Sequence, residues 1–314
     1  MSAGHLSPQC PQCGGSLPRQ ALWRTVSCSY CKAVVTLNTR WVERASFRAA
    51  WQRAQARPEG SGDWLSLQGH DYRLLRCLGQ GEASQVWLAE RHGATRLLAV
   101  VKLQPAPGEA LAREADTLAR LQRLQAADSA YFSQRLPQPL AIGPCTGRDG
   151  VALATRAWPG FWGSLADVLA AHPGGLADAR HAVWLWRRVL ELLGYLHGNG
   201  WSHGDLRAEH WLIHPQDHGV HLVGWSQARP RADAALDLQQ SAWTVRAALA
   251  GLNEQPPALP PRCPAALREL LLRASEDRDW CRSQGAAGLD RALSAAALAD
   301  FGPPRFVPFD PLRA

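Results

Sequence analysis

The segment LHGNGWSHGDLRAEHWLIHPQDHGVHLVGWS, residues 196–226, runs from the end of a long apolar helix expected over 181–199 into a loop, and then into two short alternating stretches. A PQDHG turn separates the two stretches, which therefore read as a two-stranded hairpin, and that turn already accounts for Asp217. The loop carries two carboxylates, Asp205, between Gly204 and Leu206, and Glu209 just before the hairpin. Five histidines follow one another here: His203, His210, His214, His218 and His221. They are spread over a loop and over strands whose side chains alternate between faces, so they cannot all converge on one metal ion.

Upstream, residues 72–103 hold YRLLRCLGQGEASQVWLAE, a turn around RHGATR, and LLAVVKLQ. This order reads as strand, Gly-rich turn, strand, turn, strand. A helix then follows in GEALAREADTLARLQRL, where Leu111, Glu114, Leu118 and Leu121 recur at spacings of three and four. Glu114 therefore faces inward among leucines and needs a cation there. Only two of the 34 basic residues are lysine, Lys32 and Lys102, a usage that fits GC-rich bacterial coding. A lysine that survives such a bias invites a specific role, and Lys102 is the natural partner of Glu114, because its compact ammonium is not equivalent to a guanidinium.

Taken in order, these strings resemble the protein-kinase family. Gly79-Gln80-Gly81-Glu82-Ala83-Ser84-Gln85-Val86 is similar to the kinase Gly-rich loop, with Ser84 in place of its third glycine. Ala99-Val100-Val101-Lys102 resembles the third-strand lysine motif, and His203-Gly204-Asp205-Leu206 stands where kinases have His-Arg-Asp-Leu. The resemblance implies an α+β, two-lobed protein-kinase-like fold, with a small lobe over 64–157, a large lobe over 158–300 and a Pro-rich tail over 301–314. It implies ATP binding by Gly79, Gly81, Val86 and the Lys102–Glu114 pair, with Thr155 near the gatekeeper position and Arg156 to Trp158 along the adenine edge. Asp205 takes the place of the catalytic base.

The pattern then departs from the family. Five residues after Asp205, where the resemblance calls for an asparagine on the second metal, stands His210; where Asp-Phe-Gly supplies the main magnesium carboxylate stands Gly224-Trp225-Ser226. Magnesium wants oxygen donors, so both replacements tell against it. Gly204 replaces the arginine that reads a phosphorylated activation loop, and only about a dozen residues separate Gly224 from Asp237, taken as the start of the core helix of the large lobe. The short segment leaves no room for an ordinary activation loop. The sequence leaves open whether the pocket is empty or filled by its own side chains, such as Trp225. Trp184, Trp186 and Trp201 are expected in the core.

At the other end of the chain, Cys10, Cys13, Cys28 and Cys31 form two Cys-x-x-Cys pairs. Each pair aims two thiolates at one point, and a hairpin between the pairs would set them opposite each other around a structural Zn2+. This predicts a β zinc ribbon over 1–39, joined through a connecting helix and linker (40–63) whose apolar stripe is Trp41, Phe47 and Trp51. The other four cysteines are isolated, which suits a reducing compartment better than a disulfide framework. No stretch approaches the roughly 18 apolar residues of a membrane span, and the start lacks the apolar core of a signal peptide, so a cytoplasmic location is expected. The net charge of +7 has no long basic run to localise it.

These readings predict a catalytically degenerate kinase-like protein, a pseudokinase, that retains the nucleotide-facing residues and acts as a signalling scaffold through protein partners. Small bacterial zinc ribbons fused to kinase-like domains resemble components of systems that also contain von Willebrand A-type proteins and a metal-dependent phosphatase, which suggests partners of those kinds. The alternative is an active atypical phosphotransferase, a protein or small-molecule kinase or a nucleotidyl transferase, that uses Asp205 and Lys102. Nucleic-acid binding through the ribbon rests on the positive charge alone.

Overall fold

The computed structural model describes residues 63–312 apart from 82–83, 94–96, 159 and 252–257, together with the backbone of two short strands near the N-terminus. The chain forms two compact units, residues 1–60 with 92–96, and residues 61–91 with 97–314. In the first unit, Thr25–Ser27 (β1) pairs antiparallel with Val34–Thr36 (β2), Val26 opposite Val35. This ladder brackets the second cysteine pair rather than lying wholly between the two pairs. Cys10, Cys13, Cys28 and Cys31 lie outside the described residues, as do Trp41, Phe47 and Trp51 of the expected connecting helix.

The second unit begins with Trp64–Leu67 (β3), His70–Gln80 (β4), Gln85–Arg91 (β5) and Leu97–Gln104 (β6). Helix Glu109–Leu121 (α1) and a single turn Ser129–Phe132 (α2) precede Pro139–Thr146 (β7) and Val151–Arg156 (β8). The six strands close into a barrel in the order β3-β4-β5-β6-β8-β7. Closure comes from the pairing of Ser66 and Leu67 with Thr146 and Cys145, which is not apparent from the sequence. The interior explains how so small a barrel closes. Ala89, Ala99, Ala141, Ala152 and Ala154 point inward beside Leu65, Leu67, Tyr72, Leu74, Val101 and Leu103, and small side chains let the walls approach. Along β6 the odd-numbered residues from Ala99 to Leu103 are buried in this core, so Val100 and Lys102 face the other way.

The large lobe is helical. Gly163–Ser164 (β9) leads into Leu165–Ala171 (α3), whose first turn is closed by a capping box. Asp167 N–H donates to Ser164 Oγ (3.1 Å), and Asp167 Oδ2 accepts from Ser164 N–H (2.7 Å). Helix Ala179–Gly198 (α4) runs through the core and is followed by Trp201–Ser202 (β10), the hairpin Trp211–His214 (β11) and Gly219–Leu222 (β12), and Arg229–Pro230 (β13). Helices Ala234–Ala250 (α5), Ala265–Glu276 (α6) and Arg278–Phe301 (α7) complete the lobe. Trp186 is fully buried, and its Nε1 donates to Ser241 Oγ at 2.9 Å, tying α4 to α5. Trp201 is buried too. Trp184 differs from expectation: it is only part-buried and stacks on His218 (4.4 Å between ring centroids) at the edge of the core.

The Pro-rich tail is not a loose extension. Phe309 is buried in the core of the large lobe, Phe306 stacks on His218 at 4.4 Å, and the Pro311 carbonyl accepts from His172 Nε2 at 2.9 Å. Among the described residues, no helix is long and apolar enough to cross a membrane.

Candidate active site

The site residues expected on the small lobe lie on the outer face of the barrel. Val86 lies opposite Lys102 and Lys102 opposite Leu153 across three neighbouring strands, while Thr155 lies opposite Val100. Val86, Lys102 and Thr155 thus share one sheet face. The same face packs against α1 through Leu153, Leu111 and Ala115. Lys102 Nζ donates to both oxygens of Glu114, at 2.7 and 3.0 Å. Glu114 is 4% exposed, so this pair supplies the cation that the helical periodicity demanded. Gly79 pairs with Val86, and Gly81 N–H donates to the Ser84 carbonyl at 2.8 Å, closing the Gly-rich turn. A Cβ on Gly79 would meet nothing within 4 Å, so the backbone there borders open space.

The loop 203–210 belongs to the large lobe, and Asp237 of α5 holds it. The fully buried Asp237 carboxylate accepts from the backbone N–H of His203 (2.8 Å) and of Gly204 (2.7 Å), and it pairs with His197 Nε2 (2.9 Å). The expectation that Asp237 starts the core helix is corrected by one turn: α5 begins at Ala234, capped by Asp233, whose Oδ1 accepts from Ala235 N–H (2.9 Å). Because Asp233 serves the helix terminus, Asp237 is free to serve the loop.

His203 is fully buried, and burial pushes its imidazole down to about 4. Its Nε2–H donates to the Val223 carbonyl (3.1 Å), and Nδ1 accepts from Asp205 N–H (3.3 Å). A carbonyl can only accept, so these contacts fix the neutral tautomer. Asp205 is part-buried, and its Oδ1 and Oδ2 accept from Arg207 Nε (2.7 Å) and Nη2 (2.9 Å). Arg207 is largely exposed, so this pair is weakly held and can open.

Gly204 has φ +80°, and a Cβ there would lie 2.9 Å from the Gln227 carbonyl oxygen. The short segment after the hairpin runs against it. Trp225–Gln227 makes one 3-10 turn, then Arg229 and Pro230 pair directly with Ser202 and Trp201. The two departures read from the sequence here, glycine at 204 and a short segment after the hairpin, are thus joined, since the backbone of that segment runs beside residue 204.

His210 and Gly224, the residues that the resemblance set at the two metal positions, also meet. His210 Nδ1 donates to the backbone carbonyl of Asp205 at 2.9 Å. Gly224 has φ +80°, and a Cβ built on it would lie within 2.4–2.5 Å of Nε2, Cδ2 and Cε1 of His210. The ring therefore covers the Cα of Gly224 in the space that a side chain there would need. Trp225 does not fill the pocket. It is fully buried in the core of the large lobe, donates from Nε1 to the Leu222 carbonyl (3.0 Å) and meets the His203 ring edge-on at 4.5 Å. An imidazole, a glycine and a carboxylate engaged by a guanidinium do not make the oxygen-rich donor set that magnesium prefers, so these residues do not fit that ion.

Against known proteins, no family model matches the sequence and no curated protein matches it. Solved structures do match. The kinase domain of PknI from Mycobacterium tuberculosis aligns with a TM-score of 0.56 at 16% identity, covering 76% of this chain and 100% of that one. The chain has a protein-kinase-like fold. At that identity the likeness is one of fold, and the chemistry is argued from the residues of this chain alone.

The structure brings Lys102 to Glu114, sets Val86 and Thr155 on the same face, and places Asp205 on a loop anchored from below. Sequence reasoning missed Arg207 as the partner of Asp205, and it missed the contact between His210 and Gly224. The i,i+2 spacing of Asp205 and Arg207 in an extended loop was a usable signal for the first. For the second no local signal exists, because the two residues lie on different elements.

Proposed function

We infer that this chain is a catalytically degenerate protein-kinase-like protein, a pseudokinase, that takes an adenine nucleotide in its cleft and works by presenting surfaces to protein partners. The observation that carries this reading is the contrast between two residue pairs. Lys102 and Glu114 are paired at 2.7 Å, with 22% of the lysine side chain still exposed, whereas His210 and Gly224 offer no side-chain oxygen. A kinase transfers phosphate chiefly through metal-assisted charge neutralisation and positioning, and losing both ligands removes that help while leaving the phosphate-facing lysine.

The Gly79–Gly81 turn and Val86 would cover the nucleotide, and the edge from Thr155 to Trp158 would take the adenine. The N-terminal cysteines would hold a structural Zn2+ in a ribbon that serves as one of the partner surfaces. Partners of von Willebrand A type and a metal-dependent phosphatase, in the cytoplasm, belong to the same proposal.

Thermal-shift titration with ATP and ADP in EDTA tests the nucleotide reading. Wild type should be stabilised and Lys102→Ala should not. Incubation with labelled ATP separates this reading from an active phosphotransferase. Transfer of label that disappears in Asp205→Ala would replace the pseudokinase with the transferase, and absence of any shift would leave a scaffold without nucleotide.

A further inference from the structure

We propose that His210 and Gly224 form a steric interlock that closes the metal position of this cleft, so that the cleft accepts its nucleotide without a divalent cation. The inference rests on the nucleotide reading above for its ligand, but the interlock itself stands on packing.

The imidazole is held from two directions. Nδ1–H is tied to the Asp205 carbonyl at 2.9 Å, which fixes the ring from the loop side. On its other flank the ring lies where a Cβ of residue 224 would come within 2.4 Å of Nε2. His210 ends the 3-10 turn Ala208–His210, and its own carbonyl accepts from Val223 N–H at 2.9 Å, so the backbone next to Gly224 is bonded to the residue that carries the ring. Neither partner is free to move away.

Backbone conformation alone does not require glycine at 224. Its φ of +80° and ψ of +47° lie in the left-handed region, which aspartate and asparagine tolerate better than other side chains. What forbids aspartate is the ring. Conversely, a smaller side chain at 210 would leave a void over Gly224. The two residues are therefore complementary in volume, and the loss of two oxygen ligands is a single packed solution rather than two separate vacancies. The imidazole Nε2 is not a substitute ligand for a hard cation, since magnesium selects oxygen.

The test is a double-variant cycle on the full chain with Gly224→Asp, His210→Asn and the pair together, and with Gly224→Ala as the variant that adds only a Cβ. Melting is measured first without nucleotide. Gly224→Asp and Gly224→Ala are expected to lower the melting temperature by roughly 2–10 °C, through overpacking against the ring and through the left-handed backbone, and only the overpacking part is relieved by shortening residue 210. His210→Asn/Gly224→Asp is expected to be more stable than Gly224→Asp alone, by the part of the loss due to the ring. Mn2+ titration in the presence of ADP is read next, by thermal shift and by the electron paramagnetic resonance of free Mn2+ against a protein-free sample with the same ADP, since ADP itself binds the ion. Wild type and Gly224→Asp should not respond, while the double variant should bind Mn2+.

A wild type that binds Mn2+ with ADP, or a Gly224→Ala as stable as wild type, would overturn the interlock. If the single variants fail to fold, the comparison of the double variant with wild type still decides the metal response. Coupling between 210 and 224 without nucleotide, combined with no ADP binding, would uphold the interlock and sink only the nucleotide reading. ADP binding without coupling would do the reverse.

Discussion

Asp237 holds His203 by its backbone: the buried carboxylate accepts the His203 N–H at 2.8 Å while its second oxygen takes the next amide, that of Gly204, at 2.7 Å. The loop that carries Asp205 is thereby fixed from the helix beneath it. Asp237→Ala leaves two amides and the His197 imidazole without their acceptor. Charge-assisted bonds of this kind contribute about 1.5–3 kcal/mol each, and the loss is expected to cost about 3–5 kcal/mol. Urea unfolding measures the cost, and faster amide exchange at residues 203 and 204 would locate it. Unchanged exchange there would refute the anchoring role.

Lys102 and Glu114 pair at 2.7 Å on the outer face of the barrel, where the inward carboxylate of α1 had to be matched. Lys102→Ala strands Glu114, which is 4% exposed, and should destabilise by about 3–5 kcal/mol. Lys102→Met combined with Glu114→Leu should recover most of that, since an apolar pair of similar volume replaces a buried charge pair at little cost. A cycle whose single and double variants simply add would show that the two residues do not interact.

Acid should destabilise the large lobe through its histidines. Burial lowers His203 and His218 to about 4 and His221 to about 3. Each folded value lies below the unfolded value near 6.5, so the unfolded chain takes up protons first as pH falls. Stability is therefore full above about pH 6.5 and is lost on the way down toward pH 4. For the fully buried His203 the loss over that window is roughly 3 kcal/mol. Melting temperatures from pH 7.5 to 4.5 should fall, and His203→Gln should flatten the slope. A flat wild-type profile would contradict the burial argument.

His221 is packed without full hydrogen bonding. It lies under Trp158 (4.4 Å) and Phe161 (4.5 Å), and its Nδ1 is buried without a hydrogen-bond partner. Removing an unsatisfied buried group is favourable when the replacement fills the space. His221→Leu is expected to raise the melting temperature, and by more at pH 5 than at pH 7.5. Equal or lower stability at both pH values would argue against it.

The tail contributes to the fold of the large lobe. Phe309 packs edge-on against His181 at 4.8 Å and lies beside Trp184. Phe309→Ala should cost about 3 kcal/mol, in the range for a buried aromatic. It should also shift Trp184 emission to the red. A surface-like change of less than about 0.5 kcal/mol would mean that the tail merely rests on the lobe.

Much of this was legible in the sequence for a local reason. Strand alternation and helical spacing act over a few residues, and they sufficed to place the Gly-rich turn, Lys102 on its strand, Glu114 inside its helix and the hairpin about Asp217. The order of those strings implied the two-lobed fold, and the fold is found. Other features depend on which surfaces meet. Closure of the barrel needed Leu67 to find Cys145, a pairing set by small inward alanines on four different strands. Trp225 turns into the core because its indole has both a carbonyl and the His203 ring to meet there. His210 and Gly224 looked in sequence like two absences. Only tertiary structure, which fills space with specific volumes, made them a ring and the gap that receives it.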